Sequence, residues 1–160
     1  MAFTAREFRD AMGCFATGVA VVTGRDEDGA PVGVTVNSFS SVSLSPPLVL
    51  FCLDREADSL QPFTDGKHFA VNILNAEQSD LSHRFAQTGV DKWSGVEWSA
   101  GGNDCPALPG AVARYECTSV ATHDGGDHVI LVGRVDDVAT DDRAPLLYFR
   151  GNYAYLPGAE

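Results

Sequence analysis

A strong hairpin signal in the second half of the chain does most to restrict its possible folds. The turn-forming run Asp124-Gly125-Gly126-Asp127 separates two long segments, residues 111–122 and 129–138, that are rich in residues favouring β-strands. Short loops that place glycine beside aspartate are typical of antiparallel hairpins, because glycine adopts the backbone angles that such turns require. The chain is therefore predicted to be built on an antiparallel sheet.

Shorter segments along the chain also predict strands. Residues 32–36 alternate valine with glycine and threonine, which is the period of a strand with one buried face. Residues 48–53 form a continuous apolar run, which predicts a strand buried on both faces. Further strands are predicted at 19–23, 69–74 and 146–155. About six or seven strands without a regular strand–helix alternation favour a mainly β fold, a closed antiparallel barrel with a few peripheral helices.

The first of these helices is predicted close to the N-terminus. Thr4 and Glu7 have the spacing of a capping box. Phe3 and Phe8 lie where the two residues of a hydrophobic staple would lie. Apolar residues then recur at helical spacing, which predicts one buried face made of Phe8, Met12 and Phe15.

Two shorter helices are predicted within the strand-rich region. Asp58 would cap the first, which would hold Pro62 in its first turn, where the missing N–H does little harm. The second would start near Asn75, which together with Gln78 resembles a capping pair. The apolar stripe of this second helix would consist of Leu81 and Phe85.

The charge balance limits the classes of partner. Eleven Lys and Arg residues against 22 Asp and Glu residues give a formal net charge of -11. Such a surface repels nucleic acids and anionic membranes, because binding to either depends on clustered basic side chains. No repeat or linker interrupts the 160 residues, so a single domain over residues 1–160 is expected. The absence of a long apolar run and of a secretory signal predicts a cytoplasmic protein.

Several kinds of chemistry lack their sequence signatures. The four cysteines have neither a C-x-x-C spacing nor histidines at zinc-ligand spacing, so no metal site is predicted. The glycine-rich motifs of Rossmann folds and P-loops are absent, and so is the nucleophile elbow of the α/β-hydrolases. The carboxylates cluster in predicted turns, where solvated loop charge explains them better than a catalytic pair.

The most informative polar segment is residues 33–48, in which a predicted strand runs into a hydroxyl-rich loop. Neutral hydroxyl and amide groups of this kind, together with free backbone N–H groups, can hold a phosphate and the polar edge of a planar ring. The alternative is an ordinary loop whose hydroxyls satisfy their own backbone. Its polar side chains near the bend are Thr35, Asn37, Ser38, Ser40, Ser41 and Ser43.

This segment closely resembles the flavin-binding motif of the short-chain flavin reductases that serve two-component monooxygenases, a family of FMN-binding split barrels. Other segments agree with the family in order and spacing, so the resemblance covers nearly the whole chain. They are FRDAMG and FATGV within residues 8–19, FAVNIL at 69–74, RFA and DKW within 84–93, GDH at 126–128, and PLLYFRGNY at 145–153.

The resemblance implies a split β-barrel that forms a homodimer with flavin sites near the subunit interface. Ser59, at the start of a short helix, would meet the flavin phosphate, and His128 would be the residue associated with the nicotinamide. Residues 54–58 are less basic here than is usual in the family, which suits a flavin that must leave. The remaining flavin-binding positions implied are Thr35, Val36, Asn37, Ser38, Ser41, Cys52, Leu53, Arg84, Phe85 and Tyr153.

Four of these positions also have a purely structural interpretation. Phe85 would be a core residue through its partner four positions earlier. Ser59 would be only a helix-start residue, and Cys52 only a small buried side chain. His128 follows a turn, where an exposed histidine without a role is common.

The function implied by the resemblance is an NAD(P)H:flavin oxidoreductase that reduces FAD or FMN and supplies the reduced flavin to a separate monooxygenase. The scarcity of Lys and Arg favours NADH over NADPH as hydride donor, since a 2′-phosphate usually needs a cation. Two alternatives keep the same fold. One is a flavoprotein like pyridoxamine-phosphate oxidase, for which the chain has few cations, and the other is a non-catalytic FMN or haem carrier. A third alternative is a structural β-domain that binds no ligand.

Overall fold

The computed structural model describes residues 2–156, and the mainly β prediction is confirmed. The helices are α1 (Ala5–Met12), α2 (Leu60–Asp65) and α3 (Ser79–Ala86). The strands are β1 (Thr17–Gly18), β2 (Ala20–Arg25), β3 (Pro31–Val36), β4 (Ser40–Leu44), β5 (Pro47–Asp54), β6 (His68–Ile73), β7 (Ser99–Ala100), β8 (Pro106–Ala107), β9 (Ala113–Gly125), β10 (His128–Thr140), β11 (Leu147–Phe149) and β12 (Asn152–Ala154).

Seven strands form the main sheet, in the order β3-β2-β6-β9-β10-β5-β4. Every neighbouring pair in it is antiparallel. The predicted hairpin is confirmed as β9 and β10, whose ladder runs from the pair His128 and Gly125 to the pair Thr140 and Ala113. Two register shifts interrupt this ladder, and β-bulges of this kind increase the twist and curvature of a sheet.

The sheet curls around one core, but no ladder joins its edges among residues 2–156. The same core contains Val36 of the edge strand β3 and Val49 of β5, which lies next to the opposite edge. We call the place where the β3 edge of the curled sheet approaches β5 the seam. There the hydroxyl of Ser38 accepts a hydrogen bond from the Cys52 N–H at 2.9 Å and donates one to the Cys52 carbonyl at 3.1 Å. Strands β3 and β4 follow each other in sequence yet occupy opposite edges. The curvature agrees with the barrel prediction, and closure by a continuous ladder stays a prediction.

The apolar strands β5 and β6 differ in how they are buried. The prediction that residues 48–53 are buried on both faces is wrong, because only Val49, Phe51 and Leu53 of β5 reach the core. The intervening side chains are half-buried on the outer face. Strand β6 is buried on both faces over Phe69–Asn72, as expected for a strand in the middle of a covered sheet.

Helix α1 has the predicted cap but not the predicted burial. The Thr4 hydroxyl and the Glu7 carboxylate form a capping box, and the Phe3 and Phe8 rings stack with centroids 5.8 Å apart. The capping box lowers the pKa of Glu7, through hydrogen bonds from the Thr4 backbone and side chain. The predicted buried face is wrong, since Phe8, Met12 and Phe15 are all more than half exposed. Helical periodicity identifies an apolar face without identifying what covers it.

The two short helices begin one to three residues later than predicted. Ser59, not Asp58, is the N-cap residue of α2, and its side chain makes no capping hydrogen bond. The Asn75 N–H does donate to the Gln78 side chain at 3.0 Å, but α3 starts only at Ser79. This pair therefore stabilises the turn that precedes the helix.

Strands β11 and β12 pair with β1, from the other end of the sequence, to form a second, smaller sheet. The single strand predicted at 146–155 is wrong, because Arg150 and Gly151 form a two-residue turn between Phe149 and Asn152. Their φ angles are +49° and +79°. A two-residue turn with both central residues in this region is the usual connection in a tight hairpin.

Candidate functional site

A cavity of about 440 Å³ lies where β3, α3 and the β11–β12 hairpin meet. Its volume is within the range of small-molecule sites, which is about 300–1,000 Å³. Its walls combine aromatic rings with neutral polar groups, and this lining suits a planar ring that has a polar edge. The lining residues are Val19, Thr35, Val36, Asn37, Ser82, His83, Ala86, Tyr148, Gly151, Asn152 and Tyr153.

Ser82 ties the three walls of this ring cavity together. Its backbone carbonyl accepts a hydrogen bond from the Thr35 hydroxyl at 2.7 Å, which joins β3 to α3. Its hydroxyl accepts from the Tyr153 hydroxyl at 2.8 Å, which joins α3 to β12. Ser82 is itself buried, so both hydrogen bonds are partly shielded from water. The cavity is therefore held by a network and not by loops alone.

Aromatic contacts line one side of the cavity. The His83 and Tyr153 rings meet edge to face with centroids 5.0 Å apart. Tyr148 and Tyr153 are in a similar arrangement at 5.8 Å. These rings offer both flat faces and polar tips to a bound ligand.

The structure uses several hydroxyls of the polar segment internally. Ser38 bridges to the backbone of β5, as described above, and Thr35 binds α3. The Ser40 hydroxyl donates to the Ser41 carbonyl at 3.2 Å, and the Ser43 hydroxyl accepts from the Ser45 N–H at 3.2 Å. Within residues 2–156, Asn37 and Ser41 make no side-chain hydrogen bond and are both exposed. Asn37 is thus the amide of this segment that is available to a ligand in the cavity.

Four of the predicted binding residues meet in the ring cavity, and two others lie beyond the seam. Thr35, Val36, Asn37 and Tyr153 are the four that line it. Cys52 is half-buried on the outer face of β5, and Leu53 points into the core. Burial raises the pKa of the Cys52 thiol, against a smaller lowering by its hydrogen bond with Ser38. The thiol therefore stays protonated at neutral pH, which fits packing better than nucleophilic chemistry.

Three predicted residues lie away from the ring cavity in this chain. Phe85 is fully buried and stacks edge to face on Trp93 at 4.8 Å, so it acts as a core residue here. Arg84 is exposed and donates to the Ser94 carbonyl. Ser59 is 8% exposed at the start of α2. Their assigned contacts with a flavin stay predictions.

His128 lies at the tip of the β9–β10 hairpin, opposite Asp54. Its Nδ1 is 2.8 Å from the Asp127 carboxylate, and this hydrogen bond and the nearby charge lower the pKa of Asp127. His128 and Cys52 share the outer face of the sheet, because their strand neighbours point into the core. Strand spacing places their Cα atoms roughly 8 Å apart.

The sequence analysis missed Ser82, His83, Tyr148 and Asn152 as lining residues. One signal could have found Ser82, since it lies three residues before Phe85 and therefore on the same face of the predicted helix. His83 is the next residue of α3 and also lines the ring cavity. Tyr148 and Asn152 required knowledge of the β11–β12 turn, which reverses the chain between them.

A larger cavity of about 640 Å³ lies beside α2, and its chemistry is different. It has no phenylalanine, tyrosine or tryptophan in its lining and is dominated by carboxylates, which repel anionic ligands. We therefore take the smaller cavity as the candidate site. The carboxylates that line the larger cavity are Asp26, Glu27, Asp28, Asp58, Asp65 and Asp104.

Residues 2–156 contain no group of three or more His, Cys, Asp or Glu side chains arranged to hold a metal ion. Over the same residues, no helix is long and apolar enough to cross a membrane.

Comparison with known proteins relates this site to a family. Residues 12–157 match the model of the flavin reductase-like domain. The chain is 43% identical to the FMN reductase (NADH) SmoA of Agrobacterium fabrum, over 92% of this chain and 84% of that protein. It is also 43% identical to the reductase component of the flavin-dependent trigonelline monooxygenase of Acinetobacter baylyi, over 92% of this chain and 48% of that protein.

A solved structure agrees with these relatives. The NADH:FAD oxidoreductase of Streptomyces globisporus, in complex with NAD and FAD fragments, superposes with a TM-score of 0.90 at 39% identity. The alignment covers 97% of this chain and 94% of that one. The chain spans about half the length of two of the curated relatives that it matches.

Proposed function

This chain belongs to the flavin reductase-like domain family, and we propose that it is an NAD(P)H:flavin oxidoreductase that reduces FAD or FMN by hydride transfer. The observation that carries the proposal is the ring cavity, in which the exposed amide of Asn37 faces aromatic walls fixed by Ser82. The dimensions and neutral polar lining of this cavity fit an isoalloxazine ring. The site supplies placement, and the cofactors supply the redox chemistry.

Hydride transfer to a flavin requires the nicotinamide to stack on the flavin ring at a distance of about 3–3.5 Å between the reacting atoms. Asn37 is placed to hydrogen-bond the polar edge of a ring in the cavity and to stabilise negative charge that develops there. Tyr153 and His83 limit how far such a ring can slide. The Ser82 network keeps the walls in place without a conformational change, which lowers the cost of binding.

The role proposed for His128 is to orient the nicotinamide or to help neutralise the charge of the reduced flavin. Its position at the tip of the hairpin, on the outer face shared with Cys52, supports this role for a ligand that extends past the seam. Replacement of His128 by Ala is expected to lower kcat/KM for the nicotinamide. An unchanged kcat/KM would contradict the role.

We propose that the protein acts as a homodimer. Large apolar side chains are left uncovered just after α1 and on the edge strand β4, where Phe15 is 73% and Leu44 95% exposed. A second copy of the chain would cover them and would bring its own residues close to the outer face of β5 and β10. Light scattering should give the mass of two chains, and the mass of a single chain would contradict the proposal.

We further propose that the curled sheet works as the closed split barrel of this family, that the protein is cytoplasmic, and that the reduced flavin passes to a separate monooxygenase. The four cysteines are free thiols, which suits a reducing compartment. The reductase component from Acinetobacter baylyi supports the transfer to an oxygenase, since it is part of such a system.

The proposed activity is tested by anaerobic stopped-flow reduction of FMN and FAD with NADH and NADPH. Bleaching of the flavin that is accelerated by the protein is expected, with a preference for one flavin and one nicotinamide. Binding of flavin without turnover would favour a non-catalytic carrier. Neither binding nor acceleration would refute the proposal.

A further inference from the structure

We propose that Arg9 and Arg150 form a phosphate-binding subsite for the nicotinamide dinucleotide, next to the ring cavity. The two arginines line a separate cavity of about 450 Å³ between the end of α1 and the β11–β12 turn. Gly151 lines both this arginine cavity and the ring cavity. A nicotinamide stacked on a flavin ring in the first cavity can therefore extend over Gly151 and place the phosphates of its dinucleotide in the second. This inference rests on the proposed function.

The lack of a carboxylate partner for Arg9 and Arg150 within residues 2–156 supports an anion site. Among residues 2–156, six of the nine arginines lie within 4.0 Å of a carboxylate, and Arg84 donates to a backbone carbonyl. Arg9 and Arg150 are the remaining two, and neither is within that distance of a carboxylate in the described residues. In a chain with 22 acidic residues, two unpaired arginines in one cavity indicate positive charge kept for a ligand. Asp10 also lines the cavity, but its carboxylate lies 3.9 Å from Arg6.

The backbone fixes Arg150 in this position. Its N–H donates to the Gly13 carbonyl at 2.8 Å, which joins the hairpin turn to the end of α1. Its φ of +49° lies in the left-handed region, which disfavours side chains other than Asn, Asp or Gly. The two-residue turn of the β11–β12 hairpin sets this backbone conformation and thereby the point from which the Arg150 side chain extends.

The guanidinium of Arg150 is also oriented by its neighbours. It lies over the Phe149 ring at 5.2 Å from the centroid, and its Nη2 is 3.8 Å from the Cys14 sulfur. These contacts leave most of its five N–H donors for a ligand, and a planar fork of this kind matches phosphate oxygens well. Dinucleotides carry a diphosphate, and NADPH adds a 2′-phosphate.

The test compares Arg9→Gln and Arg150→Gln with Arg143→Gln, which removes the same charge at a residue that pairs with Asp141 and lines neither cavity. Loss of an arginine–phosphate contact at an exposed site should raise the KM for the nicotinamide by about five- to ten-fold. The kcat and the KM for flavin should change by less than two-fold, as should all constants of Arg143→Gln. The effect should shrink at high salt, because salt screens exposed charges.

A direct binding measurement separates this inference from the proposed activity. Titration with ADP-ribose, which has the diphosphate but no nicotinamide, should give binding to the wild type that is weakened in both arginine variants. Such binding in a protein without flavin reduction would refute the proposed function and leave the subsite standing.

The other outcomes identify the phosphate or overturn the subsite. An equal rise in KM for NADH and NADPH would assign the diphosphate, and a rise for NADPH alone would assign the 2′-phosphate. A rise for FMN and FAD alone, or no change with either nicotinamide, would overturn the inference. A loss of the dimer in the variants, measured by light scattering, would also overturn it, because the arginines would then pair with a second copy of the chain.

Discussion

Asn37 and Ser38 are neighbours at the end of β3, but their side chains make different contacts. The Ser38 hydroxyl exchanges two hydrogen bonds with the Cys52 backbone across the seam of the sheet, whereas the Asn37 amide is exposed in the ring cavity. The Ser38 hydrogen bonds stabilise the fold, whereas the exposed Asn37 amide is available to a ligand. The two substitutions should therefore separate stability from binding.

We expect Asn37→Ala to raise the KM or Kd for flavin by about ten-fold, which is the effect of one lost hydrogen bond to a group with developing charge. Its Tm should remain within the error of the wild type, because the amide has no partner in the described residues. Flavin titration by fluorescence and thermal unfolding without ligand give the two values. Equal flavin affinity in Asn37→Ala and the wild type would remove Asn37 from the site.

Ser38→Ala is the matched control, and it should lower the free energy of unfolding by about 1–3 kcal/mol, since it leaves backbone groups of Cys52 without a partner. Chemical denaturation at one pH measures this loss. A Ser38 variant as stable as the wild type would show that the seam does not depend on the hydroxyl.

At the residue scale, the sequence could predict the polar segment but not which of its hydroxyls are used internally. Thr35 and Ser38 are as polar as Asn37, and only the positions of α3 and β5 decide that their hydroxyls are engaged. The same limit applies to Phe85. Its helical partner Leu81 indicated a core position, while the family resemblance indicated a flavin contact, and the structure places it in the core.

Helix α3 depends on a glycine in the strand beneath it. A Cβ atom at Gly33 of β3 would lie 2.5 Å from the Phe85 ring and 3.1 Å from Trp93. The close approach of Phe85 to this strand sets the position of Ser82 and His83 in the cavity. The alternation of glycine and valine at 32–36 predicted the strand, but nothing in it indicated this contact.

We expect Gly33→Ala to destabilise the protein by about 1–3 kcal/mol, as overpacking of a core does. It should also weaken flavin binding, because α3 must move outward and carry Ser82 away from Thr35 and Tyr153. Gly18→Ala is the control, since a Cβ atom there meets nothing within 4 Å. The idea fails if both variants have the same urea midpoint and the same flavin affinity as the wild type.

Elements with regular periods were predictable because their pattern has a local cause. The β9–β10 hairpin and the capping box of α1 both follow from residues that touch each other within a few positions. The burial of α1 and of the outer face of β5 does not follow from such local contacts. Both expose apolar side chains in the single chain, so their burial depends on a further surface that the local sequence does not describe.

At the scale of the whole molecule, two buried thiols couple stability to pH. Burial in the core raises the pKa of Cys105 and of Cys117 to about 12 in each case, with smaller contributions from nearby charges. In the unfolded chain a thiol titrates at about 8.5. Between these values the folded protein keeps protons that the unfolded chain has lost, so the stabilising contribution is complete below about pH 8.5 and is lost as pH rises towards 12.

Urea midpoints should therefore fall as pH is raised above about 8.5, with a slope of up to about 1.4 kcal/mol per pH unit for each thiol. Cys117→Ala should be less stable than the wild type at neutral pH, because the smaller side chain leaves a cavity, but its midpoint should depend less on pH. Cys14→Ala removes an exposed thiol and should leave the slope unchanged. Parallel curves for the wild type and Cys117→Ala would mean that Cys117 is not the group that titrates, and the alkaline loss would then have to come from Cys105 or from tyrosine or lysine side chains, whose ordinary pKa values lie near 10.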